Sequence, residues 1–216
     1  MSGMERLKKK IESAQLVVKD KLETVYETHQ MFPKEVYIRI LSAQHHLNYG
    51  VQRHFLIAAS HPDMARKKKL RHFLYEFANE EELHYLIAER DLEELGVKPL
   101  PCPFDVELWR AFFDKVVYTN PFIRLGATAV LENILGKSLE VFNKLLTNTR
   151  YLTEKNTRYI IIHKHEALPH GDEVLAALEE AKLKENHFQD LEQGALKGTI
   201  IFLRLLDWAL FGKEAY

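Results

Sequence analysis

Apolar residues return every three or four positions along almost the whole chain, and no run alternates as a strand would. The pattern therefore predicts amphipathic helices. Proline and glycine punctuation divides it into about seven stretches. The first covers 5–29 and stops before "MFPKE", where Pro33 suits the first turn of a second stretch reaching about residue 60. The third covers 63–95 and ends at Gly96, a left-handed C-terminal cap. A short fourth helix over 105–118 follows a proline-rich loop. Asn120 and Pro121 then supply the cap and first residue of a fifth that continues to 147. The sixth starts near 153, is broken at Pro169 and Gly171, and continues over 172–190 before a last helix over 191–212. The expectation is an all-α fold: one seven-helix bundle domain over 1–216, with an N-terminal helix (1–30) and a core bundle (33–212).

Chemistry enters where acids and imidazoles fall on the apolar stripes. In the third stretch Leu70, Phe73, Leu74 and Phe77 define the buried face, and continuing it brings in Glu81, His84 and Ala88. Glu80, Glu82, Glu89 and Glu93 fall off that face. The fifth stretch, "FIRLGATAVLENILGKSL", is apolar or small nearly all round, yet carries Glu132. A carboxylate there must be protonated, paired with a group such as Arg124, or bound to a cation. The sixth adds "IIIHKHEALPHGDE", with His163 and His170 two turns apart and Glu166 between them. Neutral imidazoles and carboxylates meeting inside a bundle suit iron or manganese. Three such groups on three helices point to a metal or redox site, where His84 and Glu132 are the candidate catalytic residues. The second stretch is polar around Gln44, His45, Asn48, Tyr49 and Gln52, which suits a substrate pocket and an outer face equally.

Composition narrows the partners. With a net charge of -1 and pI about 6.8, nothing favours nucleic acid or an anionic membrane. The basic runs at 8–10 and 66–69 are flanked by acids and read as solvated helix surface. Cys102 is the only cysteine, so no internal disulfide forms. The first ten residues lack the apolar segment of a signal peptide, and the run at 199–212 carries Arg204 and Asp207, which argues against a membrane span. A cytoplasmic protein is expected, and its long amphipathic helices leave a homodimer open.

The motifs "EEELHYLIAERDLEELG", "ATAVLENILGKSL" and "HKHEALPHGDEVLAAL", on the third, fifth and sixth stretches, resemble the haem-oxygenase-like proteins, and among them the non-haem di-iron oxidases and oxygenases. The resemblance covers about 35–212 and implies a bundle cavity in which Fe(II) activates O2 on a small organic substrate. It implies that His84, Glu132 and His163 hold one iron. The second iron of that family would need ligands at Phe77, Ala167 and His170, and only the last can serve. Glu81 and Glu166, each close to a missing ligand, would substitute, or the chain holds one metal. One or two Fe(II) per chain are expected, and manganese suits the same ligands.

Three other readings compete. A cofactor-independent enzyme resembling pyrroloquinoline-quinone synthase would use His84 and His163 as acid–base groups oriented by Glu132. A haem oxygenase would use His29 as axial ligand, but haem is disfavoured because bulky residues lie between Gly126 and Gly136. A non-enzymatic helical binding protein would tolerate Glu132→Leu.

Overall fold

The computed structural model describes residues 1–165 and 170–213, with the side chains of 163–165 also outside the description. Among the described residues the chain is all-α and contains no strand. Its helices are α1 (Gly3–His29), α2 (Lys34–Asn48), α3 (Gln52–Ser60), α4 (Lys68–Glu81), α5 (His84–Glu94) and α6 (Phe104–Val116). They continue with α7 (Pro121–Leu131), α8 (Leu139–Asn148), α9 (Arg158–His165), α10 (His170–Glu180) and α11 (Glu185–Phe211). Short 3-10 turns lie at Pro62–Met64 and Gly136–Ser138. No helix is long and apolar enough to cross a membrane.

The helix starts follow their caps. Ser2 and Glu5 form a reciprocal capping box on α1, and Asn120 accepts a hydrogen bond from the Phe122 N–H ahead of Pro121. Gly96 and Gly212 both adopt positive φ just past α5 and α11.

Several expected rods are broken in two. The second stretch divides at Gly50, whose φ of +76° leaves the helical region. The third unwinds over Glu82 and Leu83, and the fifth stops at Leu131, eight residues before α8 begins. The last helix starts at Glu185, earlier than expected, because Lys182 takes a positive φ and Lys184 sits at its N-terminus. Apolar spacing alone hides such breaks, since each half keeps the same buried face.

At the centre, α7 lies against α11. Every residue from Pro121 to Val130 is buried, as the all-round apolar sequence requires. The two backbones approach closely: a Cβ on Gly126 would come within 2.0 Å of Leu191 O, and one on Gly194 within 1.8 Å of Ile123 O. α1 packs its stripe of Leu7, Ile11, Ala14, Val18 and Leu22 onto the same core. α4 and α10 meet beside α7, which brings the ends of three helices together.

Candidate metal centre

Glu81 is the last residue of α4 and His84 the first of α5. The irregular turn between them preserves the i, i+3 relation, so both side chains point inward and both are buried. His84 Nδ1 lies 3.0 Å from Glu81 Oε2. The Glu-x-x-His spacing thus produces a hydrogen-bonded pair inside the bundle.

Glu132 follows the last residue of α7 and is 22% exposed, so it is half-buried where the sequence suggested full burial. The early end of α7 explains the difference. It also places the carboxylate at the negative end of a helix dipole, a position that favours a nearby cation. His170 opens α10 and is buried. Its ring faces carboxylates on both sides, Glu81 and Glu132 at Nδ1 and Glu80 at Nε2.

These groups converge. Ligand atoms of Glu81, Glu132 and His170 all lie within 4.8 Å of one another. His170 Nδ1 is 3.4 Å from Glu81 Oε1 and 3.7 Å from Glu132 Oε2. The imidazoles of His84 and His170 are nearly parallel, 6.3 Å apart. Burial by itself would raise the Glu81 pKa, but His170 and His84 hold it below the ordinary carboxylate range. Glu81 is therefore an anion in the interior.

Metal fit can be tested on Glu81 itself. Its Oε1 is buried, and His170 Nδ1 approaches it only to 3.4 Å, a long contact for an ionised oxygen. An ionised oxygen left that way is costly, and a divalent cation at the centre of the cluster removes the cost. Two carboxylates and an imidazole are a donor set suited to iron or manganese. The residues present fit a metal ion.

Two further features complete the surroundings. Arg124 is buried in α7, stacked against Phe55, Trp109 and Phe113. Its Nε donates to His54 Nδ1 at 3.2 Å, and its Nη1 donates to Thr128. Burial brings its pKa down to about 10, which leaves it charged, while the fields of Glu132 and Glu81 oppose the shift. Opposite His84 stands Tyr159, its ring 6.4 Å away. The Tyr159 hydroxyl accepts from Asn48 Nδ2 at 2.8 Å and donates to Gln44 Oε1 at 3.0 Å. The polar run of the second stretch therefore faces inward at Gln44 and Asn48, while Tyr49 is exposed. Asp91, two turns beyond His84, accepts the Tyr159 N–H at 2.9 Å and so caps α9 from a distance. An acid on the buried stripe at that spacing was the available signal for it.

No protein-family model matches the chain, and no curated protein matches it in sequence. A solved structure does match: a domain of unknown function with a haem-oxygenase-like fold from Shewanella denitrificans OS217. The superposition has a TM-score of 0.73, covers 98% of this chain and 94% of that one, and pairs residues at 21% identity. The fold is haem-oxygenase-like.

At that identity the likeness carries architecture, and the chemistry must come from the site. Within the haem-oxygenase-like frame, His84, Glu132 and His170 sit at or beside one cluster, and Glu81 joins them. The His163 side chain and all of Glu166 and Ala167 lie outside the described residues. Phe77, at the position of a missing second-iron ligand, is fully buried, and its ring meets His170 edge-on at 5.0 Å. His29 is exposed at the end of α1.

Proposed function

We propose that this protein is an iron-dependent oxidase or oxygenase that activates dioxygen on a small organic substrate, with one Fe(II) held by Glu81, Glu132 and His170. The observation that carries this reading is the convergence of those three ligand atoms within 4.8 Å, around a buried Glu81 oxygen that His170 approaches only to 3.4 Å. Phe77 favours one metal over two, because an aromatic ring fills the space that a second carboxylate would need.

Bound iron would supply the electron transfer to dioxygen that no side chain here provides. The protein's own part can be derived from its geometry. Glu81 stays ionised and is oriented by the hydrogen bond to His84. Phe55 and Phe77, packed ring to ring at 4.7 Å, keep water from that side of the cluster. Tyr159, fixed by Gln44 and Asn48 and with its ring edge-on to His84, has a hydroxyl oxygen that can accept one further hydrogen bond from a substrate's polar group. The haem-oxygenase-like fold is compatible with this chemistry without specifying it.

Anaerobic loading with Fe(II), desalting and metal analysis test the reading. Wild-type protein should retain about one iron per chain, and Glu81→Ala, Glu132→Ala and His170→Ala should each retain far less. Oxygen uptake by the loaded protein should fall with the same substitutions. Iron retention unaffected by all three would refute this ligand set.

A second reading rests on the His84–Glu81 bond, which already couples a buried acid to a buried base. If the protein retains no metal under any of these conditions, that couple supports acid–base catalysis without a cofactor.

A further inference from the structure

His170 faces acids on both sides. Its Nδ1 looks inward to Glu81 and Glu132, while its Nε2 lies 3.5 Å from Glu80 Oε2. Ligand atoms of Glu80, His170 and Glu173 again fall within 4.8 Å of one another. This second triad opens onto a groove of about 290 Å³ between α4 and α10, lined by Phe73, Glu76, Phe77, Glu80, Glu173 and Glu180, among others. Among the described residues Lys69 is the one cation in that lining, and it is paired with Glu180 at 2.8 Å. The groove is therefore strongly acidic, and the buried His170 ring lies behind its lining, against Glu80 and Phe77.

We propose that Glu80, His170 and Glu173 form a capture site for divalent metal, which takes the ion from solvent and releases it past the edge of the His170 ring to the inner cluster. The proposal rests on the metal reading given above. A neutral imidazole has one lone pair and one N–H, so the two positions are alternatives rather than simultaneous sites. With the ion on Nε2, the proton sits on Nδ1 and faces the inner carboxylates. When the ion moves to the inner side, Nδ1 gives up its proton to an inner carboxylate or water, Nε2 takes one from solvent by way of Glu80, and the new N–H is donated toward Glu80, the outward hydrogen bond that metal-bound histidines usually make. Glu80 is half-exposed and Glu173 partly buried, as suits carboxylates that meet a hydrated ion. Glu173 also lies in the first turn of α10, where the helix dipole stabilises its charge.

A capture site changes rates without changing the final equilibrium. Mn(II) binding to the metal-free full chain, followed by stopped flow and by the loss of the free-ion electron-spin signal, separates the two. Glu80→Gln/Glu173→Gln keeps an oxygen acceptor for the Nε2–H while removing both charges, and should slow association and dissociation together, by roughly tenfold, with a much smaller change in the dissociation constant. Glu76→Gln/Glu180→Gln removes the same charge from the same groove and serves as the control for simple electrostatic steering. In Glu132→Gln, where the inner cluster is disabled, a weaker Mn(II) should remain, and adding Glu80→Gln/Glu173→Gln should abolish it. Equal slowing by the control pair, or residual binding that survives the triple substitution, overturns the capture site and leaves the inner site standing. If Glu132→Gln binds Mn(II) as tightly as wild type while Glu80→Gln/Glu173→Gln abolishes binding, the outer triad is the binding site and the inner reading falls.

Discussion

His54 shows how a single buried side chain can set acid sensitivity. Its Nδ1 accepts from Arg124 and its Nε2 lies 2.5 Å from Asp114, so the neutral ring satisfies both neighbours at once. Burial and the Arg124 cation lower its pKa to about 4. A histidine whose folded pKa lies below its unfolded value stabilises the fold above pH of about 6.5, and that contribution is lost as pH falls toward about 4. Burial alone would raise the Asp114 pKa, but the bonds from His54 and Arg53 lower it, which adds loss at still lower pH. Through His54 the protein should be about 2 kcal/mol less stable at pH 5 than at pH 7, and His54→Gln should flatten that difference in urea unfolding. At Glu132 the expectation runs the other way. Removing a charge from the C-terminal end of α7 with Glu132→Leu should leave metal-free stability unchanged or raised by about 0.5–1 kcal/mol, while metal retention collapses. A loss of several kcal/mol in the metal-free form would show that Glu132 is structural.

At the scale of elements, the contact of α7 with α11 and the capping of α9 make separate demands. Gly126→Ala and Gly194→Ala each push a methyl into facing backbone, where no side chain can rotate away. Each should cost more than about 2 kcal/mol, or prevent folding, read from the urea midpoint. Asp91→Ala removes the cap at the N-terminus of α9 and should cost about 1–2 kcal/mol, with amide exchange rising first at Tyr159. These elements also show what the sequence disclosed. The stripe through Phe77, Glu81, His84 and Ala88 was readable because helical spacing converts directly into a shared face. The unwound turn at Glu82 and Leu83 and the end of α7 at Leu131 were not, because neither carries proline or glycine. The partners of His170 were equally hidden. Its meeting with Glu81 and Glu80 depends on how α10 crosses α4, and no local spacing records a crossing.

Over the whole molecule, residues that are far apart in sequence become neighbours because helix ends, rather than helix middles, meet at one place. Glu81 closes α4, Glu132 follows α7 and His170 opens α10, so an ion between them joins three elements that the chain itself connects only through long detours. Such an ion works as a staple, and it binds the folded chain in preference to the unfolded one. By mass action, a metal present at a hundredfold excess over its dissociation constant adds about 2.7 kcal/mol to the unfolding free energy. The melting temperature thus becomes a titration curve, and on the iron reading proposed above a cell poor in iron would hold a softer protein, one more readily opened and degraded than the same chain in a cell with iron to spare.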